Sequence, residues 1–224
     1  DGDGKPDCID PIIKVVKLQA YQDVTIKNIG DIVWMKDFDA NGNLTGPTID
    51  YPIADDMNSG SFTLRATLNA FPEKPDWSPT VKYGWVIDGV SSSYNYGEFQ
   101  GWQGNINIIT PQNINIYTLK LTFMIFHDGE RISDQRIDRT LYITLANPQL
   151  GSPKLSWLDK AVLWAKGAKN TQQALSSLNH GIYHQHYQNP VDRWIYRMNA
   201  GNQWDSLVEG SVNTGNCYSF SYVW

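Results

Sequence analysis

The sequence predicts a multidomain β + α protein, in which a β-sandwich is followed by a helical region. Two observations support this class. Between residues 11 and 150 the apolar residues mostly recur with a period of two, which is the pattern of strands that bury one face. After Gly151-Ser152-Pro153 their spacing becomes that of amphipathic helices. We therefore expect a β-sandwich over residues 11–150 and a second domain over residues 151–224.

The strands are predicted from alternation. Within residues 62–68 apolar and polar residues alternate without exception, as a half-buried strand requires. Similar runs occupy residues 12–20, 81–87, 105–109, 117–126 and 139–145. Asp128-Gly129 separates the last two runs and accepts the positive φ angles of a tight hairpin turn. We therefore expect the last two strands to be antiparallel neighbours.

The end of the predicted sandwich carries a resemblance of fold. Gly, Pro and Asn separate the short strands, and the last strand runs into Asn147-Pro148. This arrangement resembles the exit of immunoglobulin-like modules in bacterial surface proteins. The resemblance implies an immunoglobulin-like β-sandwich and concerns the fold only.

Two helices are predicted after the strands. The first would end at Gly167. The second would begin at Asn170, with Gln173 completing a capping box, and would end before Pro190. Their apolar stripes would consist of Trp157, Leu158, Ala161, Val162 and Ala165 in the first helix, and of Ala174, Leu175, Leu178 and Ile182 in the second.

Composition excludes two classes of partner. The net charge is −5 and no run of Lys or Arg occurs, so we expect no nucleic-acid binding. No stretch approaches the ~20 apolar residues of a transmembrane helix, so we expect no membrane span. Only 18% of the residues are charged, while Trp, Tyr, Asn, Gly and Ser are plentiful, which favours an extracellular or cell-surface location.

The first ten residues, Asp1-Gly2-Asp3-Gly4-Lys5-Pro6-Asp7-Cys8-Ile9-Asp10, resemble part of a thrombospondin type 3 calcium repeat. Calcium prefers six to eight oxygen ligands, and alternation of Asp with Gly lets a short loop wrap carboxylates around the ion. The resemblance implies a structural calcium ion, although the first Asp of the pattern is missing. A flexible acidic linker is the alternative. The implied calcium ligands are Asp1, Asp3, Asp7 and Asp10.

Two further segments are candidate binding loops. Residues 37–44 copy the first half of an EF-hand loop, but Thr48 stands where the bidentate Glu belongs, so an Asn-Gly hairpin turn is the favoured interpretation. Residues 83–102 begin with Tyr83 and contain five further aromatic residues among Gly and Ser: Trp85, Tyr94, Tyr96, Phe99 and Trp102. These residues form either a platform for sugars or peptides, or core and cross-strand pairs, which are the commoner arrangement.

The segment Gly215-Asn216-Cys217-Tyr218-Ser219-Phe220-Ser221 resembles the nucleophile segment of the papain fold. A Cys at a helix N-terminus has a lowered pKa, and its backbone N–H can stabilise an oxyanion. Papain-type peptidases place a Gln six residues before the Cys, where this chain has Ser211. The helix predicted from Asn170, followed by a connection to the Cys, instead resembles the lead-in helices of transglutaminase-like domains. The transglutaminase-like superfamily is therefore the closer resemblance, and it implies that residues 151–224 are the truncated first part of a papain-fold domain with Cys217 as its catalytic nucleophile. A buried Cys that opens an ordinary amphipathic helix is the alternative.

These observations give three hypotheses of function. The first is a fragment of a secreted or cell-surface transglutaminase-like protein, expected to be non-catalytic because the His and Asp partners would follow Cys217 and are absent. The second is a structural or adhesive surface or filament protein with a degenerate Cys domain. The third is a papain-like cysteine peptidase fragment. The expected partners are a protein or peptide substrate or a surface glycan, with assembly into an oligomer or filament.

Overall fold

The computed structural model describes residues 11–21, 32–145 and 155–184, together with two short strands at residues 195–196 and 214–215. This part of the chain is mostly β, with two five-stranded sheets, and two helices follow the strands. The predicted β-rich class is therefore confirmed. The elements in chain order are β1 (Ile12–Tyr21), β2 (Ile32–Met35), β3 (Ile49–Asp50), β4 (Ile53–Asp56), β5 (Ser61–Phe71), β6 (Thr80–Ile87), β7 (Asn95–Gln100), β8 (Gln103–Ile109), β9 (Asn115–His127), β10 (Glu130–Thr144), α1 (Leu155–Trp164), α2 (Thr171–His184), β11 (Ile195–Tyr196) and β12 (Thr214–Gly215).

The first five-stranded sheet has the order β3-β2-β1-β5-β8. Strand β5 lies between β1 and the edge strand β8 and runs antiparallel to both of them. Its residues are alternately buried and partly exposed, as the alternation in its sequence predicts. Phe62 lies opposite Ile108, and Leu64 lies opposite Ile106, so four fully or almost fully buried side chains form one patch of the core.

The second five-stranded sheet has the order β4-β10-β9-β6-β7. Strand β6 runs antiparallel to both β9 and β7. Strand β9 ends at His127 and β10 begins at Glu130, with φ of 47° at Asp128 and 85° at Gly129. These are the positive angles of a two-residue hairpin turn, so the predicted turn and the neighbouring position of the two strands are confirmed.

The contacts between Cα atoms divide the chain into two compact units. The first unit comprises residues 1–53, 61–109 and 117–141, and its described residues include most of both sheets. We call this part the two-sheet unit. The second unit comprises residues 54–60, 110–116 and 142–224. The predicted boundary between residues 150 and 151 falls in residues 146–154, which lie outside the described part of the chain, so it stays a prediction.

Within the two-sheet unit, a glutamine side chain joins a strand of one sheet to a strand of the other. The backbone N–H of Val15 donates a hydrogen bond to Oε1 of Gln135 at 2.8 Å, and Nε2 of Gln135 donates one to the carbonyl of Val15 at 3.0 Å. The register of β1 against β5 shifts between Val15 and Lys17, which marks a bulge. The side-chain amide of Gln135 thus pairs with β1 as a neighbouring peptide group would.

In the second unit, the helices begin and end close to the predicted residues. The side chain of Asn170 accepts a hydrogen bond from the backbone N–H of Gln173 at 2.9 Å, which confirms Asn170 as the cap of α2. The side chain of Gln173 bonds in return to the N–H of Lys169 instead of that of the cap residue. Gly167 follows α1 with a φ of 82°, a value that suits a helix end.

The buried stripes of the helices are narrower than predicted. Leu158, Val162 and Ala165 are buried, but Ala161 is exposed. In α2 Ala174 is buried, whereas Leu175 is 37% exposed. The expected burial of Ala161 and Leu175 is therefore wrong. Trp164 of α1 contacts α2 at Gly181. The Trp164 side chain lies so close to Gly181 that a Cβ atom there would be 2.6 Å from Cδ1 of the indole.

Candidate functional site

Several predicted site residues lie outside the described residues. They are the proposed nucleophile Cys217 and the proposed calcium ligands Asp1, Asp3, Asp7 and Asp10. In the sequence around Cys217 the structure describes only β12, which pairs in parallel with β11. Among the described residues, no group of three or more His, Cys, Asp or Glu side chains is arranged to hold a metal ion. The roles of these five residues stay predictions.

The EF-hand-like segment forms a turn between Phe38 and Leu44, which make an isolated antiparallel bridge. The carboxylate of Asp39 accepts hydrogen bonds from the backbone N–H groups of Asn43 at 2.9 Å and Asn41 at 2.8 Å. These backbone hydrogen bonds, that from Asn43 first, lower the pKa of Asp39. The favoured turn interpretation therefore fits, since the carboxylate is used to cap the turn.

A buried carboxylate in the second unit has a structural explanation. Asp55 is 2% exposed and accepts hydrogen bonds from the hydroxyl of Ser59, at 2.6 Å, and from that of Thr110. The two hydroxyl oxygens are themselves 2.9 Å apart. This closed triangle joins the turn after β4 to residues 110–116, and it satisfies the buried polar atoms as folding requires.

The aromatic segment 83–102 contributes to both alternatives that the sequence left open. Trp85 is buried, and the ring of Phe99 lies over Gly104 of β8 and 6.1 Å from the ring of Tyr83, so these residues are core and pairing residues. Tyr96 is 74% exposed, the largest exposed fraction among the large apolar residues of the described chain. Its ring centroid lies 6.1 Å from that of Tyr94, with 27° between the planes. Tyr96 is therefore the member of the segment that faces solvent, with the half-buried Tyr94 beside it.

A reciprocal pairing between two Tyr-Gly dipeptides fixes the position of Tyr96. In the register of β6 and β7, Tyr83 lies opposite Gly97, and Gly84 lies opposite Tyr96. A Cβ atom on Gly84 would lie 3.0 Å from Cε1 of Tyr96 and 3.0 Å from the hydroxyl of Thr122. The Tyr96 ring thus rests against the sheet at a position where the absence of a side chain makes room for it.

Two solvent-open hollows flank Tyr96 on the second sheet. The first has a volume of about 540 Å³ and the second one of about 470 Å³. Tyr96 and Met124 line both of them. The other residues lining the first hollow are Tyr94, Thr122, Phe123, Arg131, Asp134, Gln135 and Arg136. The second hollow is completed by Lys82, Tyr83, Gly97 and Glu98. We call the two hollows together the Tyr96 groove.

The wall of the first hollow carries two guanidinium–carboxylate pairs from β10. Arg131 bonds to Asp134 through Nε at 2.9 Å and through Nη2 at 2.7 Å. Arg136 bonds to Asp138 through the same two nitrogens, at 2.9 Å and 3.0 Å. The hydrogen bond to Asp138 is the main reason why the pKa of Arg136 is raised. The sequence interpretation missed these residues, although charges alternate in sign along residues 131–138 and signal an exposed strand face.

A second aromatic group lies at one end of the two-sheet unit, where the rings cover one another. Trp77 stacks on the imidazole of His127, with ring centroids 3.7 Å apart and 14° between the planes. Trp102 lies 6.5 Å from Trp77, and Nζ of Lys74 lies 4.4 Å from the Trp102 centroid. Because neighbouring side chains already occupy these ring faces, we assign this group to packing.

In the described part of the chain, neither helix is long and apolar enough to cross a membrane.

Comparison with known proteins assigns no family to the chain. No protein-family model and no curated protein matches the sequence. A family 76 glycoside hydrolase from a bovine Bacteroides thetaiotaomicron strain is a structural neighbour with 6% identity and a TM-score of 0.25, over 40% of this chain and 19% of that one. HiLPMO9B is another, with 12% identity and a TM-score of 0.28, over 65% of this chain and 83% of that one. The chain thus spans about a fifth of the hydrolase, and both similarities are too low to carry an argument about function.

Proposed function

We propose that the two-sheet unit is a glycan-binding module of an adhesive surface protein, and that the Tyr96 groove is its binding site. The observation that carries this proposal is the exposed Tyr96 ring, seated on Gly84 beside a wall of planar hydrogen-bonding side chains. In this proposal the two sheets form an immunoglobulin-like sandwich that displays the groove outside the cell.

The chemistry of the groove suits a sugar ring. The face of an aromatic ring carries partial negative charge and attracts the partly positive C–H groups on the face of a pyranose. The guanidinium and carboxylate groups of Arg131, Asp134 and Arg136 offer fixed donors and acceptors to the hydroxyl groups of the sugar. An apolar platform with a few placed polar groups is also the usual composition of a ligand site.

A peptide is the less suitable ligand for this surface. Extended peptides gain most of their affinity by pairing with the backbone at the open edge of a sheet. The edge strands of this sheet are β4 and β7. The Tyr96 groove lies over the face formed by β6, β7, β9 and β10, although Tyr96 itself belongs to the edge strand β7. A ligand on that face meets side chains, which favours a glycan over a strand-forming peptide.

The test is binding of the full chain to immobilised xylan, cellulose, mannan and β-1,3-glucan. We expect one of them to retain the wild-type protein, and Tyr96→Ala to weaken that binding at least about tenfold, equivalent to about 1.4 kcal/mol. Ile109→Ala is the matched control, because Ile109 is 60% exposed and lies on β8 of the other sheet. Equal loss of binding in both variants, or no retention by any polymer, would contradict the proposal.

We propose separately that Cys217 is the nucleophile of a transglutaminase-like protein that acts on Gln side chains or peptide bonds through a thioester. The support is the Gly215-to-Ser221 segment. A Cys activated in this way has a depressed pKa and stays reactive in mild acid. Cys8, the only other Cys of the sequence, provides an internal reference for a thiol of ordinary reactivity.

Iodoacetamide labelling at mildly acidic pH, read by peptide mass spectrometry, tests this second proposal. We expect Cys217 to react at least about tenfold faster than Cys8, since a lowered pKa increases the thiolate fraction. Cys217→Ser should remove the fast reaction, and Cys8→Ser should retain it. Equal rates at the two thiols would assign Cys217 to a scaffold role.

A further inference from the structure

We infer that the Tyr96 groove binds an internal segment of a neutral polysaccharide, with sugar units in both hollows and one unit over Tyr96. This inference rests on the proposed glycan-binding function and specifies its ligand. It adds three properties to that function: the length of the bound segment, its lack of charge, and recognition away from the chain ends.

The length of the bound polysaccharide segment follows from the geometry of β7 and the neighbouring residues. Tyr96 and Glu98 occur at alternate positions of β7, and Tyr94 immediately precedes this strand, so the span from residue 94 to residue 98 is at most about 13 Å at ~3.3 Å per residue. Each hollow lies within the ~300–1,000 Å³ range of small-molecule sites. Since Tyr96 and Met124 line both hollows, a chain can continue from one hollow to the other without leaving the surface.

The absence of ligand charge follows from the balance of charges along the groove. Of the residues that line the first hollow, Arg131 is paired with Asp134, and Arg136 is paired with Asp138, which is not itself a lining residue. In the second hollow, Lys82 lies directly opposite Glu98 on the neighbouring strand. Nζ of Lys82 lies 5.1 Å from the ring centroid of Phe126, so the lysine is held near an aromatic face. An acidic polysaccharide would have to compete with these carboxylates for the cations.

Recognition of an internal segment follows from the openness of both hollows. Both are open to solvent and meet at the exposed ring of Tyr96. A site that reads a chain end requires a wall that stops the chain. Tyr96 lines both hollows and is 74% exposed, so a chain that crosses its ring can extend into either hollow.

The test is isothermal titration of the full chain with oligosaccharides of one to six units from xylan, cellulose, mannan and β-1,3-glucan. We expect affinity for one series to rise at least about tenfold between the disaccharide and the hexasaccharide. Blocking the terminal hydroxyls of that hexasaccharide by methylation should leave its affinity within about twofold. Polygalacturonate oligomers of equal length should bind at least about tenfold more weakly.

Two double variants test which hollow provides the gain in affinity with oligosaccharide length. Lys82→Gln with Glu98→Gln removes two opposite charges from the second hollow and should abolish the gain with length, while disaccharide affinity stays within about twofold. Arg136→Gln with Asp138→Asn, the matched pair beside the first hollow, should weaken every length by at least about fivefold.

The outcomes separate this inference from the proposed function. Glycan binding that depends on Tyr96 but not on length, or that requires a free chain end, would overturn the inference and leave the function standing. Tighter binding of polygalacturonate would overturn the assignment of a neutral ligand. If no glycan binds and gelatin peptides bind instead, both the inference and the proposed function are overturned.

Discussion

Three glycines within strands of the two-sheet unit lie beneath aromatic rings, and the three contacts differ in tightness. Phe99 lies over Gly104, and Tyr83 lies over Gly97. At Gly84 the contact is looser, since an added Cβ atom would lie 3.0 Å from the nearest atoms of Tyr96 and Thr122. A strand glycine costs about 0.5–1 kcal/mol relative to Ala, and a covering aromatic ring offsets part of that cost.

Gly84→Ala tests whether the contact with Gly84 positions the Tyr96 ring, without removing the ring. The added methyl group must displace Tyr96, so we expect binding to the retained polysaccharide to weaken about fivefold or more. The free energy of unfolding should change by less than about 1 kcal/mol, because Tyr96 is exposed and Ala suits a strand better than Gly.

Gly104→Ala is the contrasting variant, because its methyl group would fall inside the ring of Phe99. It should lower the free energy of unfolding by more than about 2 kcal/mol in urea titration. Unchanged glycan binding by Gly84→Ala would show that the contact with Gly84 does not position Tyr96.

The helix pair shows how one small residue decides the packing of two elements. Gly181 lies near the middle of the last two turns of α2, at the point where α2 meets Trp164 of α1. On helix propensity alone, Ala would be better than Gly by about 1 kcal/mol. Packing opposes this gain, since there is no room for a Cβ atom beside the indole.

We expect Gly181→Ala to destabilise the second unit, because the clash with Trp164 outweighs the gain in helix propensity. The expected loss is about 1–3 kcal/mol, measured by thermal unfolding followed by circular dichroism at 222 nm. Ser176→Ala is the control, since Ser176 is exposed on the same helix and should be neutral or slightly stabilising. A rise in Tm for Gly181→Ala would contradict the close packing of the two helices.

At the scale of the whole molecule, each of the two sheets buries one face, and the side chain of Gln135 forms hydrogen bonds between the two sheets. Val15 is completely buried, so both of its backbone groups need partners inside the protein. Gln135 supplies both. The side chain therefore has the role of a missing ladder strand at the bulge in β1.

We expect Gln135→Leu to lower the free energy of unfolding by about 2–4 kcal/mol, because it leaves a buried donor and a buried acceptor unpaired. Gln135→Glu should cost less than Gln135→Leu, since a carboxylate still accepts from the N–H of Val15. Gln100→Leu, at an exposed position of β7, should change stability by less than about 0.5 kcal/mol. Equal stabilities for the three variants in urea titration would mean that the Gln135 bridge does not stabilise the unit.

The sequence predicts the main strands well because they bury one face each. Five of the six predicted runs fall within strands, the sixth (residues 139–145) extends one residue past the end of β10, and the Asp128-Gly129 turn is in place. The strands β2, β3, β4 and β7 were not predicted. Three of them have only two to four residues, and β7 is an edge strand that contains Gly. Such strands depend on pairing with distant residues, which local periodicity does not encode.

The candidate site was predictable only in part, for the same reason. The aromatic segment is visible in the sequence, but alternation cannot distinguish exposed Tyr96 from buried Trp85 when apolar residues lie on both faces. The wall of the groove comes from β10, more than 30 residues later in the chain. Its position depends on the order of strands in the sheet, which follows from tertiary packing.

The contact between the Tyr96 ring and Gly84 also has a consequence for the thermodynamics of binding. Without a ligand, the Tyr96 ring already lies against Gly84. The guanidinium groups of Arg131 and Arg136 each already donate two hydrogen bonds to a carboxylate. Ordering a free side chain on binding costs about 0.5–1.5 kcal/mol of conformational entropy. A preorganised groove avoids most of this cost, so even a shallow surface with few contacts can hold a flexible polymer.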